Sequence, residues 1–222
     1  MSRARLSPGV GRLLVVLAAA AGVLAAACGA PSANYQRDPS GHLVFALPTQ
    51  WTVFSQTELY RNSNPDASYV AARNATSGQW TIGFDGGPTP SVDELLTVTS
   101  PRPTGFAKVR PATAAEQQSL ATYAGLRNLV FSLDSEVRKD PTLVRIDSSR
   151  VLHFSGGYRA LEVTFSVRDS IARPFTTFTQ VAAVDAGVQH VYLLLIGCGA
   201  DCYHANLTSI DRVISSWTLK EH

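Results

Sequence analysis

Two cysteines separated by three residues are the sharpest chemical feature of the sequence, in the run Ile196-Gly197-Cys198-Gly199-Ala200-Asp201-Cys202. Such a pair could close a disulfide, exchange electrons or hold a metal. The redox motif spaces its thiols by two residues, not three. A structural metal site needs four ligands, and His204 adds just one nearby. A bridge is therefore the reading taken for Cys198 and Cys202, with redox and metal chemistry as its rivals. The remaining histidines, His42, His153, His190 and His222, are scattered. Neither a nucleophile elbow, a zincin helix motif nor a phosphate loop occurs. Gly197-Cys198-Gly199 imitates the start of a dinucleotide fingerprint, but Cys202 stands where its third glycine belongs, so turn geometry explains it. Trp51, Trp80 and Trp217 are read as packing anchors before ligand-stacking rings. No catalytic residue, metal ligand set or cofactor site emerges, and a non-enzymatic protein is expected.

The third cysteine, Cys28, follows an export signal. Arg3, Arg5 and Arg12 precede a stretch, Leu13 to Ala27, with no charged or polar side chain. That is a positive n-region followed by an apolar h-region, shorter than the roughly 20 residues a membrane-spanning helix needs. Ala25-Ala26-Ala27-Cys28 reads as a lipobox, with Cys28 as lipid acceptor. Ala25 stands where leucine is usual, and the three alanines also fit ordinary signal-peptidase cleavage. Residues 1–27 are thus expected to be a lipoprotein signal peptide and 28–40 the lipidated cysteine with a short tether. Residues 41–222 would form one domain on the extracytoplasmic face of the cell membrane, with some of the protein secreted. In that oxidising compartment the Cys198–Cys202 pair should close.

Export also changes the charge balance. The whole chain has 19 basic and 17 acidic residues. Its first 27 residues hold three of the basic ones and no acid, so 16 face 17 afterwards, a formal net charge of −1. No basic footprint for nucleic acid remains. The few lysines among many Ala, Val and Arg residues have the look of a GC-rich actinobacterium.

The elements that must position these residues follow from periodicity. Strands are expected at 42–47, 51–54, 68–74, 79–85, 143–146, 149–154, 158–167 and 175–184. In 158–167, Leu161, Val163, Phe165 and Val167 point inward, with Glu162, Thr164 and Ser166 outward. The stretch 188–196 is apolar on both faces and should be a covered central strand. Ser91 and Glu94 have capping-box spacing for a short helix. The proline-bearing segment 100–112 reads as loop, and 113–133 as one helix. At the C-terminus, Leu207, Ile210, Val213 or Ile214, and Trp217 form an apolar helical stripe whose start Asp201 can cap. Short turns favour antiparallel pairing, which makes an α+β domain: an antiparallel sheet flanked by helices.

Three stretches carry a family resemblance: Gly41 to Trp51, a strand ending in proline and tryptophan; Gly157 to Phe165; and Val191 through Cys198, Cys202 and Asn206 to Thr218. Over most of 41–219 the chain resembles the PsbP/Mog1-like fold family, in particular its actinobacterial lipoproteins. The resemblance implies an antiparallel sheet sandwiched by helices and a mostly non-enzymatic role. It carries no ligand residue across, and 86–142 departs from it most. The expectation is a membrane-tethered, non-catalytic envelope lipoprotein that binds a lipid, a small ligand or a partner protein. A groove for lipid or glycan between 113–133 and the sheet is the sharper form of it. An envelope hydrolase and a structural accessory subunit are the alternatives.

Overall fold

Alternating apolar residues drive seven strands into one antiparallel sheet. The structure, a computed structural model, describes residues 33–96 and 100–221; residues 1–27, expected as a signal peptide, Cys28 and His222 lie outside them. The strands are β3 (Thr52–Ser55), β4 (Trp80–Asp85), β5 (Thr104–Pro111), β6 (Val144–Leu152), β7 (Arg159–Val167), β8 (Thr176–Val184) and β9 (His190–Gly199), in the order β3-β4-β5-β9-β8-β7-β6. β1 (Ala33–Arg37), β2 (Leu43–Pro48) and β10 (Thr218–Leu219) form a second sheet in the order β1-β2-β10. The helices are α1 (Gln56–Ser63), α2 (Tyr69–Ala75), α3 (Ala114–Leu120), α4 (Tyr123–Arg127), α5 (Leu133–Lys139), α6 (Ala200–Ala205) and α7 (Leu207–Ser216). This is the α+β architecture expected from the sequence.

The large sheet carries a core on each face, because β9 runs through its middle with both faces apolar. Tyr192, Leu194 and Ile196 pack with Leu43, Phe45 and Leu47 of β2 and with Ile210, Val213 and Trp217 of the C-terminal helix region. Val191, Leu193 and Leu195 pack with Leu120, Leu126 and Leu133 of α3, α4 and α5. Backbone proximity fixes the centre. A Cβ at Gly105 would meet the carbonyl of Leu195 at 2.2 Å and the Phe84 ring at 2.7 Å, so only glycine fits under that ring. Trp51 stacks on Phe84 at 5.9 Å between centroids.

Several elements differ from the sequence reading. Residues 33–37, placed in the tether, are strand β1, paired with β2 from Ala33↔Pro48 to Arg37↔Val44; the domain begins at 33 rather than 41. The Asp38 carboxylate closes this hairpin by accepting the N–H of Leu43 at 2.7 Å. Residues 68–74, expected as strand, form helix α2, which Ser68 Oγ caps by accepting from Ala71 N at 3.1 Å. The stretch 100–112 is not loop: it contains β5, with Pro101 and Pro103 before the strand and Pro111 as its last residue, opposite His190.

The single helix expected at 113–133 is broken. Thr122 starts a new helix by capping Gly125 N at 3.0 Å, and Gly125 lets α4 lie against Ser119, whose carbonyl would sit 1.9 Å from a Cβ there. Where Ser91 and Glu94 are expected to start a helix, only a four-residue 3-10 turn forms, Asp93–Leu96, with Ser91 Oγ accepting from Asp93 N at 3.2 Å. The two strand candidates 143–146 and 149–154 are one strand, β6, with a register shift between Ile146 and Ser148. Asp147, at that bulge, accepts from Ser166 Oγ at 2.6 Å, and Ser166 is buried rather than outward. The C-terminal helix breaks at Asn206, so Asp201 lies inside α6, whose cap position is Gly199. Leu207 of the apolar stripe is 42% exposed, while Ile210, Val213, Ile214 and Trp217 are buried.

Candidate ligand-binding cleft

A cross-strand row on the large sheet makes the floor of a cleft. Trp80 of β4 lies opposite Val109 of β5, and Val109 opposite Tyr192 of β9. Side chains directly opposite in neighbouring strands share a face, so these three present one surface toward the small sheet. The β1–β2 turn supplies the facing wall with Asp38, Pro39, Ser40 and His42. Gly78 and Gln79 before β4, Arg110 and Pro111 at the end of β5, and His190 at the start of β9 complete the rim. The cleft holds about 360 Å3 and opens where the two sheets part. That falls within the range of small-molecule sites, which combine an apolar lining with a few polar groups.

The polar groups of the rim are largely committed. Asp38 is buried and accepts from Ser40 N at 3.1 Å, from Leu43 N at 2.7 Å and from the Ser40 hydroxyl. Ser40 Oγ also meets His42 Nδ1 at 3.0 Å. This is the reverse of a hydrolase arrangement, in which the serine gives its proton to histidine; here it gives it to Asp38. The three side chains seal a turn whose Gly41 has φ +77°. His190 Nδ1 faces Asp185 Oδ2 at 2.9 Å. Arg110 binds both oxygens of Glu116, at 2.8 and 2.6 Å, which holds that carboxyl down to about 2, with the Thr113 N–H as the next cause. Burial pushes the Tyr192 phenol up, so it stays a neutral hydrogen-bonding group. The rim therefore offers neutral donors and acceptors above an apolar floor, with Arg110 ion-paired to Glu116 and the Asp38 carboxylate held by neutral donors of its own turn.

The expected groove between 113–133 and the sheet is also present, on the opposite face. Phe106, Lys108 and Arg110 of β5 and Val191 and Leu193 of β9 floor it, and Leu129 and Val130 overhang it, enclosing about 240 Å3.

Cys198 and Cys202 are joined as a disulfide, with Cα atoms 5.9 Å apart. It spans the β9–α6 junction, away from the residues that line the cleft. Among the described residues no group of three His, Cys, Asp or Glu side chains could hold a metal ion, and no helix is long and apolar enough to cross a membrane. Trp51 and Trp217 are packing anchors, buried in the core as expected; Trp80 is half-buried and walls the cleft. Sequence reasoning missed the cleft because its floor row comes from three strands, one of which was read as loop. The only local signal was Trp80 heading its strand.

No protein-family model matches the chain, and no curated protein sequence matches it significantly. Solved structures do. Cyanobacterial PsbP from Synechocystis sp. PCC 6803 superposes with a TM-score of 0.50 at 11% identity, over 87% of this chain and 96% of that one. The Ran-binding protein Mog1p of Saccharomyces cerevisiae gives 0.45 at 6% identity, over 84% and 95%. LpqN of Mycobacterium tuberculosis, involved in cell envelope biogenesis, gives 0.44 at 12% identity, over 85% and 91%. The chain is thus similar in structure, distantly and at low identity, to proteins of the PsbP/Mog1-like fold.

Proposed function

From a fold shared at low identity with PsbP-like proteins, we propose that this chain is a non-catalytic binding protein of the bacterial envelope. In this reading it is exported, lipid-anchored through Cys28 and related to actinobacterial lipoproteins, and it holds a neutral ligand in the cleft between its sheets. The observation that carries the ligand reading is the floor row Trp80–Val109–Tyr192 beneath a rim whose Arg110 and Asp38 are already bound within the protein. An apolar floor suits one flat face of a ring, and hydrogen-bonding groups at the edge suit hydroxyls. A sugar ring has both. Arg110 is bound by Glu116, and Asp38 is buried and hydrogen-bonded within its own turn, so neither charge is offered to an ionic ligand.

Tryptophan emission tests this directly. Trp51 and Trp217 are buried in the core, whereas Trp80 lines the cleft. Titration with glucose, N-acetylglucosamine and their β-linked disaccharides should change the emission for at least one of them. Trp80→Ala should abolish binding of that sugar in protein that still melts cooperatively. Binding that survives Trp80→Ala unchanged, or no response to any sugar, would overturn the ligand assignment. Turnover of a bound sugar would favour a hydrolase instead.

A further inference from the structure

The groove on the other face of the sheet has a different chemistry from the cleft. Its floor is two cross-strand pairs, Lys108↔Leu193 and Arg110↔Val191, with Phe106 one place further along β5. Leu129 and Val130 wall it from above. The cation at its centre is Lys108. Arg110 is bound to both oxygens of Glu116, whereas no hydrogen bond or ion pair of the Lys108 ammonium is found among the described residues. Burial in the groove, and then the neighbouring Arg110 charge, both pull the Lys108 ammonium below its ordinary range. A charge held against apolar walls without a counter-ion is costly, and an anion brought to it recovers that cost.

We propose that this groove binds an acyl chain carrying an anionic head, with the head on Lys108 and the chain along Phe106, Leu129, Val130 and Leu193. A peptide fits it less well. Peptide N–H and C=O groups need partners when buried, and the backbone of the floor offers none: β5 is paired to both β4 and β9, and β9 to both β5 and β8. An alkyl chain has no such requirement, and its single polar group coincides with the single free cation of the lining. The alternative in which the Lys108 stem merely covers apolar surface while its head reaches water makes no distinction between anionic and neutral amphiphiles.

That distinction is the test. The processed protein is titrated calorimetrically with decanoate and decyl phosphate, and separately with decyl maltoside, decyltrimethylammonium and inorganic phosphate, all below micelle formation. The two anionic amphiphiles should bind at least tenfold more tightly than the neutral and cationic ones, and inorganic phosphate should not bind measurably. If only one of the two anionic amphiphiles binds, the head group is thereby assigned as carboxylate or phosphate. Lys108→Met should erase the preference for anionic heads, and Lys108→Arg should keep it. Val130→Asp, at the overhanging wall, should weaken the anionic amphiphiles in protein that still melts cooperatively. Equal affinity for all three head-group classes, or full affinity in Lys108→Met, would overturn the proposal. Trp80→Ala should leave decanoate binding unchanged, so the fates of groove and cleft are read separately.

Discussion

Glu116 links local structure to stability at the scale of one residue. Its carboxylate accepts the backbone N–H of Thr113 at 3.0 Å and the Thr113 hydroxyl at 2.8 Å, closing the start of α3, and it also grips Arg110 at the rim of the cleft. Arg110 and then Thr113 depress its acidity to about 2 in the fold, against an ordinary glutamate near 4.3 in the unfolded chain. A carboxyl depressed on folding contributes stability above its unfolded value and loses it as pH falls toward the folded one. Both partners are partly solvated, so the contribution is about 1 kcal/mol. Glu116→Gln should therefore be less stable than the parent by that amount at pH 7, in urea melts. The gap should close between about pH 4.5 and pH 2. A gap that persists at pH 2 would mean that the side chain acts by packing rather than charge. Asp85 is the more deeply set carboxylate: it is fully buried and accepts from Gly87 N, Ser91 N and Arg102 Nε. It folds the 86–91 segment back over β4, which is why the helix start expected at Ser91 is spent on a turn.

At the scale of elements, the C-terminal helix and the bridge before it are the parts where burial decides most. Trp217 is buried at the end of α7, edge-on to Phe154 at 5.4 Å between centroids, and its indole N–H meets no acceptor. Trp217→Ala should cost about 3–5 kcal/mol through the cavity it leaves. Trp217→Phe should cost much less, because it removes a buried unpaired donor along with part of the ring. Denaturant melts of both variants, with the alanine change no worse than the phenylalanine one, would show that the site collapses without strain. The Cys198–Cys202 bridge closes a small ring, worth about 2 kcal/mol in chain entropy. The paired variant Cys198→Ala with Cys202→Ala should lose about that much and stay folded, since Tyr203, Ile210 and Val213 still bury α6 and α7. Such long, well-patterned elements were legible in the sequence: β7, β8, β9 and α7 all lie close to where periodicity puts them. The elements misread are short and governed by single side chains. Ser68 turns a β-looking stretch into helix by capping it, and Thr122 with Gly125 cuts one helix into two. β5 hid behind its flanking prolines, and with it the shared floor of cleft and groove. The Ser-x-x-Glu and Thr-x-x-Glu spacings at Ser55–Glu58 and Thr113–Glu116 were signals available for α1 and α3.

At the scale of the molecule, the sheet separates two chemistries that the proposed anchoring would bring to a membrane. One face carries the cleft beneath the small sheet, and the other the cationic groove beneath Leu129 and Val130, which follow α4. β1 begins at Ala33 and pairs at once with β2, so only the four residues 29–32 would separate a lipidated Cys28 from the folded domain. The proposed groove ligand, an anionic acyl chain, is the kind of molecule such a surface presents, so tether and groove would work as one device. Attachment is tested by Cys28→Ser expressed in the native host. Loss of acylation should move the protein from the membrane fraction to the soluble one, because one or two buried acyl chains dominate binding of a domain with no spanning helix among its described residues. The groove adds a second arm. If it contacts membrane lipid itself, Cys28→Ser should retain a weak membrane association that Lys108→Met then removes. A processed Cys28→Ser protein that stays fully membrane-bound even with Lys108→Met would show that neither lipidation nor the groove holds it there.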